Sequence, residues 1–409
     1  MKVLTSGKIP IKMWLRQIET GALKQAKNLA NFPFAFKHIA IMPDSHQGYG
    51  MPIGGVMATK GVIVPNAVGV DIGCGMCAIK TSITVDELDT ETLKKIIDKI
   101  KKVIPVGFNK HKEGQALNLM PDYKNLEVKG DPKTVGNFEI TLNIKNHPII
   151  AKEYNNALKS LGTLGGGNHF IEIQKDNDDH IWIMIHSGSR NLGKQVAGHY
   201  NKIAKGLNEK WHTSVPKEHD LAFLPINNNE GKSYIREMNY CVEFALANRK
   251  LMMDRVLAVF REFFPDDGTV GDGIINIAHN YAKMENHFGQ NVMVHRKGAT
   301  LASKETIGII PGSQGTKSYI VEGLGNPDSF NSCSHGAGRD MSRKEASRQL
   351  NLKMEIKKLD ALGIIHSIKE TKDLDEAPGA YKNINKVMEQ QKNLVKILVE
   401  LSPLGVIKG

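Results

Sequence analysis

The run Ile181-Trp182-Ile183-Met184-Ile185 passes directly into His186-Ser187-Gly188-Ser189-Arg190. Five apolar residues bounded by a polar, glycine-bearing loop read as a short buried strand whose end carries chemistry. The same pattern recurs along the chain. Residues 38–42 run into Pro43-Asp44-Ser45-His46, residues 291–294 into His295-Arg296-Lys297-Gly298, and residues 306–310 into Pro311-Gly312-Ser313. Side chains at such strand ends can converge from distant parts of the chain. The expectation is an α/β (α+β mixed) fold, with central mixed β-structure surrounded by helices. Chemistry is spread over residues 43–343, and any cut would divide it, so one large catalytic domain over residues 1–409 is expected.

Three segments predict helices. Residues 86–102 carry Leu88, Leu93, Ile96, Ile97 and Ile100, with Thr84 and Glu87 spaced as a capping box. Residues 240–264 and 383–401 also place apolar side chains at helical spacing. These stripes read as core faces and are assigned no chemistry.

The 409 residues include 54 Lys+Arg against 43 Asp+Glu, a net charge of +11, with 41% hydrophobic and 24% charged residues. These are the proportions of a folded, water-soluble chain. No apolar run reaches the roughly 18 residues of a membrane span, and Met1-Lys2-Val3-Leu4-Thr5-Ser6 opens no signal-peptide core. Four cysteines do not make a disulfide framework. A cytoplasmic protein with no membrane partner is expected, and the basic balance favours a polyanionic partner over an acidic one.

Asp71-Ile72-Gly73-Cys74-Gly75 sets a carboxylate and a thiol three residues apart in a glycine turn. Both could reach one divalent ion or a pair of ions. Alone, the segment reads equally as a buried cysteine in a tight turn. His169, His186 and His279 strengthen the metal reading, because each lies beside Asn or Ser at the end of a predicted element. Imidazole, carboxylate and one thiolate suit zinc, iron, cobalt or manganese.

Gly162-Thr163-Leu164-Gly165-Gly166-Gly167-Asn168 and Gly336-Ala337-Gly338-Arg339 could expose backbone N–H groups to an anion, or serve as tight turns only. In the second, His335 precedes the loop, and Arg339 and Arg343 would share a face if a helix began there. Arginine binds phosphate bidentately. His335 is a candidate nucleophile, general acid or ligand. Arg190, and the pair Arg296 and Lys297, are further candidate phosphate contacts or plain surface charges. These residues point to a metal-dependent enzyme of phosphoryl or nucleotidyl transfer. A metallophosphoesterase and a non-catalytic RNA-binding module are the competing readings. A dinucleotide oxidoreductase is disfavoured, since no GxGxxG opens a helix with an acidic residue about 20 on.

Eight motifs, in order, resemble the RtcB family of RNA-splicing ligases: Pro43-Asp44-Ser45-His46-Gln47-Gly48, Val70-Asp71-Ile72-Gly73-Cys74-Gly75, Gly167-Asn168-His169, His186-Ser187-Gly188-Ser189-Arg190, His279-Asn280-Tyr281, Arg296-Lys297-Gly298-Ala299, Pro311-Gly312-Ser313 and His335-Gly336-Ala337-Gly338-Arg339. The resemblance covers nearly the whole chain. It implies a GTP- and Mn-dependent ligase acting in tRNA splicing or RNA repair. Such an enzyme joins RNA 3′-phosphate or 2′,3′-cyclic-phosphate ends to 5′-hydroxyl ends through a covalent histidine–GMP intermediate and an RNA–ppG end. On that resemblance His335 would carry GMP and Asp44 would assist proton transfer. Two Mn ions would be held by Asp71, Cys74, His169, His186 and His279, with Cys74 bridging. Asn168, Glu172, Ser313, Gly336, Ala337, Gly338, Tyr381 and Lys408 would contact the nucleotide, and Arg190, Arg339 and Lys297 an RNA phosphate. An archease-type activator protein is a further partner of some members. The stretch Phe108-Asn109-Lys110-His111-Lys112-Glu113-Gly114 matches no family pattern, and it lies where contacts to RNA ends could differ.

Overall fold

The computed structural model describes residues 1–121, 126–129, 139–142, 147–265 and 273–409. Two large sheets organise them. One runs, in spatial order, Lys2–Leu4, Ile11–Met13, Ala35–His46, Ile53–Thr59, Gln290–Lys297 and Asn280–His287. Its only parallel pair is Ile11–Met13 with Ala35–His46. The other runs Ile275–Ala278, Gly75–Thr84, His180–Ser187, Phe170–Lys175, Val395–Lys408, Ser318–Gly323 and Ile307–Ile310, antiparallel throughout. Ile275 and Ile277 at one edge of this sheet share an apolar cluster with Ile307 and Ile309 at the other, around Met76, Trp182, Met184 and Leu401. The sheet is therefore rolled around a core of its own. Its opposite face packs on two helices, Thr90–Val103 and Asn229–Phe263, through Leu93, Ile96, Ile97, Ile100, Met252, Met253, Val256 and Phe260. This is the mixed α/β architecture expected from the sequence.

Element boundaries differ from the sequence reading in instructive ways. The Thr84–Glu87 capping box forms, with the Thr84 N–H donating to Glu87 Oε2 at 2.7 Å, but it caps only the single turn Val85–Glu87. The long helix starts afresh at Thr90, where the Asp89 side chain accepts from the Thr92 N–H at 2.7 Å. The helix expected over 240–264 begins at Asn229, because Asn228 accepts from the Gly231 N–H and Tyr234 and Met238 are already buried. The helix expected over 383–401 is wrong in its second half. Ile384–Gln390 is helical, but Val395–Lys408 is a strand between Phe170–Lys175 and Ser318–Gly323. Val395, Ile397, Val399 and Leu401 also alternate with period two, and strand pairing selects that period over the helical one. The helix after Arg339 starts only at Arg343, capped by Ser342 and Glu345, so the two arginines do not share a helical face.

Strand register places the site. Gly75 opposes Ala278 on one side and Ser187 on the other, His186 opposes Phe170, and Phe170 opposes Lys408. Five neighbouring strands therefore end at one level, and each end carries a residue singled out in the sequence. His279 sits at the crossing from one sheet to the other, between Ile275–Ala278 and Asn280–His287. In the other sheet the pairing of Ala35–His46 with Ile53–Thr59 slips between Ile41 and His46. That irregularity covers Pro43, which has no N–H to give the ladder, and re-aims Asp44.

Candidate metal and nucleotide site

Five side chains predicted as ligands meet at this strand edge. Cys74 Sγ lies 3.3 Å from His186 Nε2 and 3.6 Å from His169 Nε2. His186 Nε2 is 3.4 Å from His279 Nε2, and His169 Nε2 is 3.1 Å from Asp71 Oδ2. They form two donor groups, Cys74–His186–His279 and Asp71–Cys74–His169, which share the thiol. The surrounding backbone sets the ring tautomers. His169 Nδ1 donates to the Leu164 carbonyl at 3.0 Å, and His186 Nδ1 donates to the Asn168 carbonyl at 2.9 Å. Both Nε2 atoms then carry lone pairs, aimed at the Cys74 sulfur and, for His169, at the Asp71 carboxylate. Lone pairs converging in a buried place fit a bound cation. The charge states agree. Burial and neighbouring imidazoles hold His186 and His279 well below the ordinary histidine range, so both are neutral donors. Burial and the nearby Asp71 push the Cys74 thiol well up, so a thiolate there requires a cation.

His335 adjoins this cluster, its ring 4.8 Å from that of His279, edge to face. It follows Ser332–Ser334, a short strand paired with Ala299–Leu301. Its Nδ1 lies 2.6 Å from Asp44 Oδ2, and its backbone N–H donates to the same oxygen at 3.0 Å. Asp44 is fully buried. Burial alone would raise its carboxyl, but His335 and then Lys382 outweigh this and hold it below the usual range. The chain wraps closely here. Gly338 has φ 73°, and a Cβ there would stand 2.1 Å from the Asp44 carbonyl oxygen, so only glycine lets the loop lie against Asp44.

Behind the histidines lies a second charged cluster, reached across the Phe170 ring. That ring is 5.6 Å from the His186 ring, and Lys408 Nζ stands 5.8 Å from its centre. Glu376 is the hub. Its Oε1 accepts from Arg339 and Arg343, each at 3.1 Å, and its Oε2 accepts from the Tyr381 hydroxyl and faces Lys408 Nζ at 3.7 Å. Glu172, opposite Val406 in the strand register, is buried, and that burial raises its carboxyl to about 8 despite Lys408. Ser313 donates its N–H to Thr316 Oγ1, Gln314 Nε2 reaches the Glu376 carbonyl, and Ala337 N–H reaches the Pro311 carbonyl. The Pro311–Ser313 and His335–Arg339 segments are thereby tied to the hub. Asn168 contributes its carbonyl to His186.

The proposed phosphate cations are not alike. Arg190 lies by the candidate ligands, its Nε donating to Thr163 Oγ1 and its Nη2 to the Gly107 carbonyl, both at 3.1 Å. A Cβ on Gly165 would meet Arg190 Nη1 at 1.8 Å and His169 Nδ1 at 2.6 Å, so that glycine makes room for both. Arg339 is committed to Glu376 and to the Asp375 and Met341 carbonyls. Lys297 is buried, donating to the Tyr49 and Asn66 carbonyls, and burial lowers its ammonium to about 7. Arg296 is no surface charge at all: it is wholly buried against Glu285.

Besides Glu376, two further residues of the site were missed in the sequence. Asn248 and Arg249 lie on the helix Asn229–Phe263, read there as plain core. Asn248 accepts from the Gly162 and Thr163 N–H groups and donates to Ser187 Oγ and the Gly188 carbonyl. Arg249 Nη1 donates to the Gly73 and Ser187 carbonyls, both at 2.9 Å, and its Nε donates to Asn276 Oδ1 at 2.8 Å. One guanidinium thus ties together the three segments that carry Cys74, His186 and His279. The signal available was a polar pair interrupting the stripe between Ala245 and Met252.

Comparison with known proteins agrees with this geometry. Residues 25–409 match the family described as "tRNA-splicing ligase RtcB". The chain is 38% identical over 422 residues to the RNA-splicing ligase RtcB of Escherichia coli (strain K12), covering 100% of this chain and 99% of that protein. It is 33% identical over 467 residues to the tRNA-splicing ligase RtcB of Nanoarchaeum equitans, with 100% and 95% covered, and 32% identical over 441 residues to that of Thermococcus kodakarensis, with 95% and 91% covered. With a family model matching residues 25–409 and relatives similar over their full length, the chain belongs to the RtcB family of RNA-splicing ligases.

Proposed function

We propose that this enzyme joins an RNA 3′-phosphate end, or a 2′,3′-cyclic-phosphate end after its hydrolysis, to a 5′-hydroxyl end, consuming GTP. The observation that carries the reading is the 2.6 Å contact of His335 Nδ1 with buried Asp44, at the edge of the ligand cluster. With Nδ1–H donated to the carboxylate, the Nε2 lone pair is free to attack the α-phosphorus of GTP. The N–P bond forms as the bond to pyrophosphate breaks. A 3′-phosphate oxygen then attacks that phosphorus, breaking the N–P bond and giving RNA–ppG. The 5′-hydroxyl attacks the phosphorus of the former 3′-phosphate, and GMP leaves. The capping step turns a poor leaving group into a good one.

Asp71, Cys74, His169, His186 and His279 would hold two manganese ions, Cys74 shared between them, as the two donor groups suggest. When bound, the ions supply neutralisation of phosphate charge. The chain's own groups do the rest. Asp44 holds the imidazole tautomer and stabilises charge on it. Arg190 offers a guanidinium to an RNA phosphate. Glu376 holds Arg339, Arg343, Tyr381 and Lys408 in place beside Glu172, where the nucleotide would lie, with Asn168, Ser313 and the Gly336–Gly338 turn around it. Lys297, buried beneath the Tyr49 loop, would act on RNA by holding that loop rather than by direct contact.

The test is covalent labelling. Incubation with α-labelled GTP and manganese should give an acid-labile, alkali-stable adduct, absent in His335→Ala. A ligation assay should join 3′-phosphate RNA to 5′-hydroxyl RNA with GTP. No adduct in the wild type, or trimmed ends without joined product, would refute the reading.

A further inference from the structure

Among the described residues most aromatic rings are at least half buried. Among the described residues only two Phe, Tyr or Trp side chains are more than half exposed: Tyr49 at 75% and Phe108 at 100%. A lone apolar residue on a surface needs no explanation. These two are not scattered, because each stands on a loop held by a cation next to the candidate site, Arg190 for Phe108 and Lys297 for Tyr49.

Phe108 follows Gly107, whose carbonyl accepts Arg190 Nη2 and whose N–H donates to the Gly165 carbonyl at 3.0 Å. Gly165 itself packs on His169. Tyr49 offers its carbonyl to Lys297 Nζ at 2.5 Å, and the next residue after Lys297, Gly298, packs against the His335 ring. Phe108 therefore follows the glycine that Arg190 holds, and Tyr49 stands on the loop that Lys297 holds, Lys297 being the residue before the Gly298 contact with His335.

Both loops are pinned. Beyond Phe108, the His111 N–H donates to the Lys159 carbonyl and Arg255 donates to His111 and to the Gly162 carbonyl, each at 2.9–3.0 Å. Before Tyr49, Gly48 and the Gln25 side chain exchange two hydrogen bonds. The rings are held out from anchored backbone, so little order has to be imposed when a partner binds. Lys110 and Lys112 are exposed beside Phe108, which adds positive charge to the apolar face.

A free aromatic face, joined at Phe108 by basic neighbours, is the arrangement that holds unpaired bases, and it tolerates any sequence because every base has a π-face. We propose that Phe108 and Tyr49 are stacking platforms for the terminal bases of the RNA ends, one for each strand, flanking the joining centre. The proposal rests on the ligase reading above and adds how the ends are aligned without sequence recognition.

The test uses the full-length chain with manganese and no GTP, so binding is scored apart from chemistry. A 3′-phosphate RNA and a 5′-hydroxyl RNA each carry 2-aminopurine at the terminal base. Wild-type protein should quench both probes. Phe108→Ala and Tyr49→Ala should each abolish quenching of one probe and weaken its binding roughly 10-fold. Phe108→Trp should retain quenching, and Trp211→Ala, 41% exposed on a separate loop, should change nothing. Undiminished quenching and affinity in both alanine variants would overturn the proposal. Failure of the wild type to quench either probe would overturn it too. The ligase reading itself fails only on the separate adduct and joining assays.

Discussion

His335 Nδ1 lies 2.6 Å from Oδ2 of Asp44, a residue 291 positions earlier in the chain, and the His335 backbone N–H reaches the same oxygen. The carboxylate thus fixes both the ring's rotation and its tautomer. Asp44→Asn keeps the shape but removes the charge that balances a protonated or phosphorylated imidazole. Adduct formation from α-labelled GTP should slow by roughly 10²–10⁴-fold, while metal content measured by elemental analysis stays at the wild-type value. An unchanged rate would show that Asp44 does not act through His335.

The shared thiol gives a second expectation. Cys74 belongs to both donor groups, so its loss should affect both. Cys74→Ser should lower divalent-ion affinity by at least roughly 10-fold, read by calorimetry. In cobalt-substituted protein the near-ultraviolet sulfur-to-metal band should disappear. Retention of that band would mean that another sulfur supplies it.

Arg249 acts on the centre without touching it. Arg249→Lys keeps a buried charge but cannot bridge the Gly73 and Ser187 carbonyls while reaching Asn276. Metal affinity should fall roughly 10–100-fold, and the cobalt spectrum should shift as the ligand geometry relaxes. A lowered melting temperature with an unaltered spectrum and affinity would reduce Arg249 to a packing residue. Asn276→Ala, which removes one of the three ties, should give a smaller loss in the same direction.

Glu285 sets an acid limit on stability. Burial would raise its carboxyl, but His287 and Arg296 together lower it to about 2, against 4.5 for an ordinary glutamate. A depressed folded value means that the unfolded chain takes up the proton first. The contribution is complete above about 4.5, at roughly 3 kcal/mol, and is lost as pH falls from there toward 2. Glu285→Gln should be less stable at pH 7 by roughly 3–5 kcal/mol, because buried Arg296 loses its charge partner. Its stability should also fall less steeply between pH 5 and 3. Denaturant unfolding at several pH values measures both slopes, and equal slopes would exclude Glu285 as the acid-sensitive group.

Much of the site was legible before any coordinates. Asp71, Cys74, His169, His186, His279 and His335 stood out because each follows or precedes an apolar run at a polar or glycine-bearing break, and such breaks are where strands stop burying their side chains. Glu376, Asn248 and Arg249 did not stand out. A buried charge on a helix looks like a flaw in a core stripe until the carbonyls it serves are in view, and those belong to loops far away in sequence. Val395–Lys408 was misread because its apolar residues satisfy both periods, and only pairing with Phe170–Lys175 and Ser318–Gly323 decides between them.

The amino-acid order by itself settled which chemistry was available: hard and soft metal donors, a histidine beside a glycine turn, and a basic balance without membrane-length apolar runs. Those properties belong to side chains and nearest neighbours, so they survive without a fold. Tertiary structure alone decided which donors lie within reach of one another, which carboxylate meets His335, and that Arg296 and Lys297 lie buried. Each of these depends on strand register and sheet crossing between segments up to hundreds of residues apart, where a slip of one residue would turn every side chain to the opposite face.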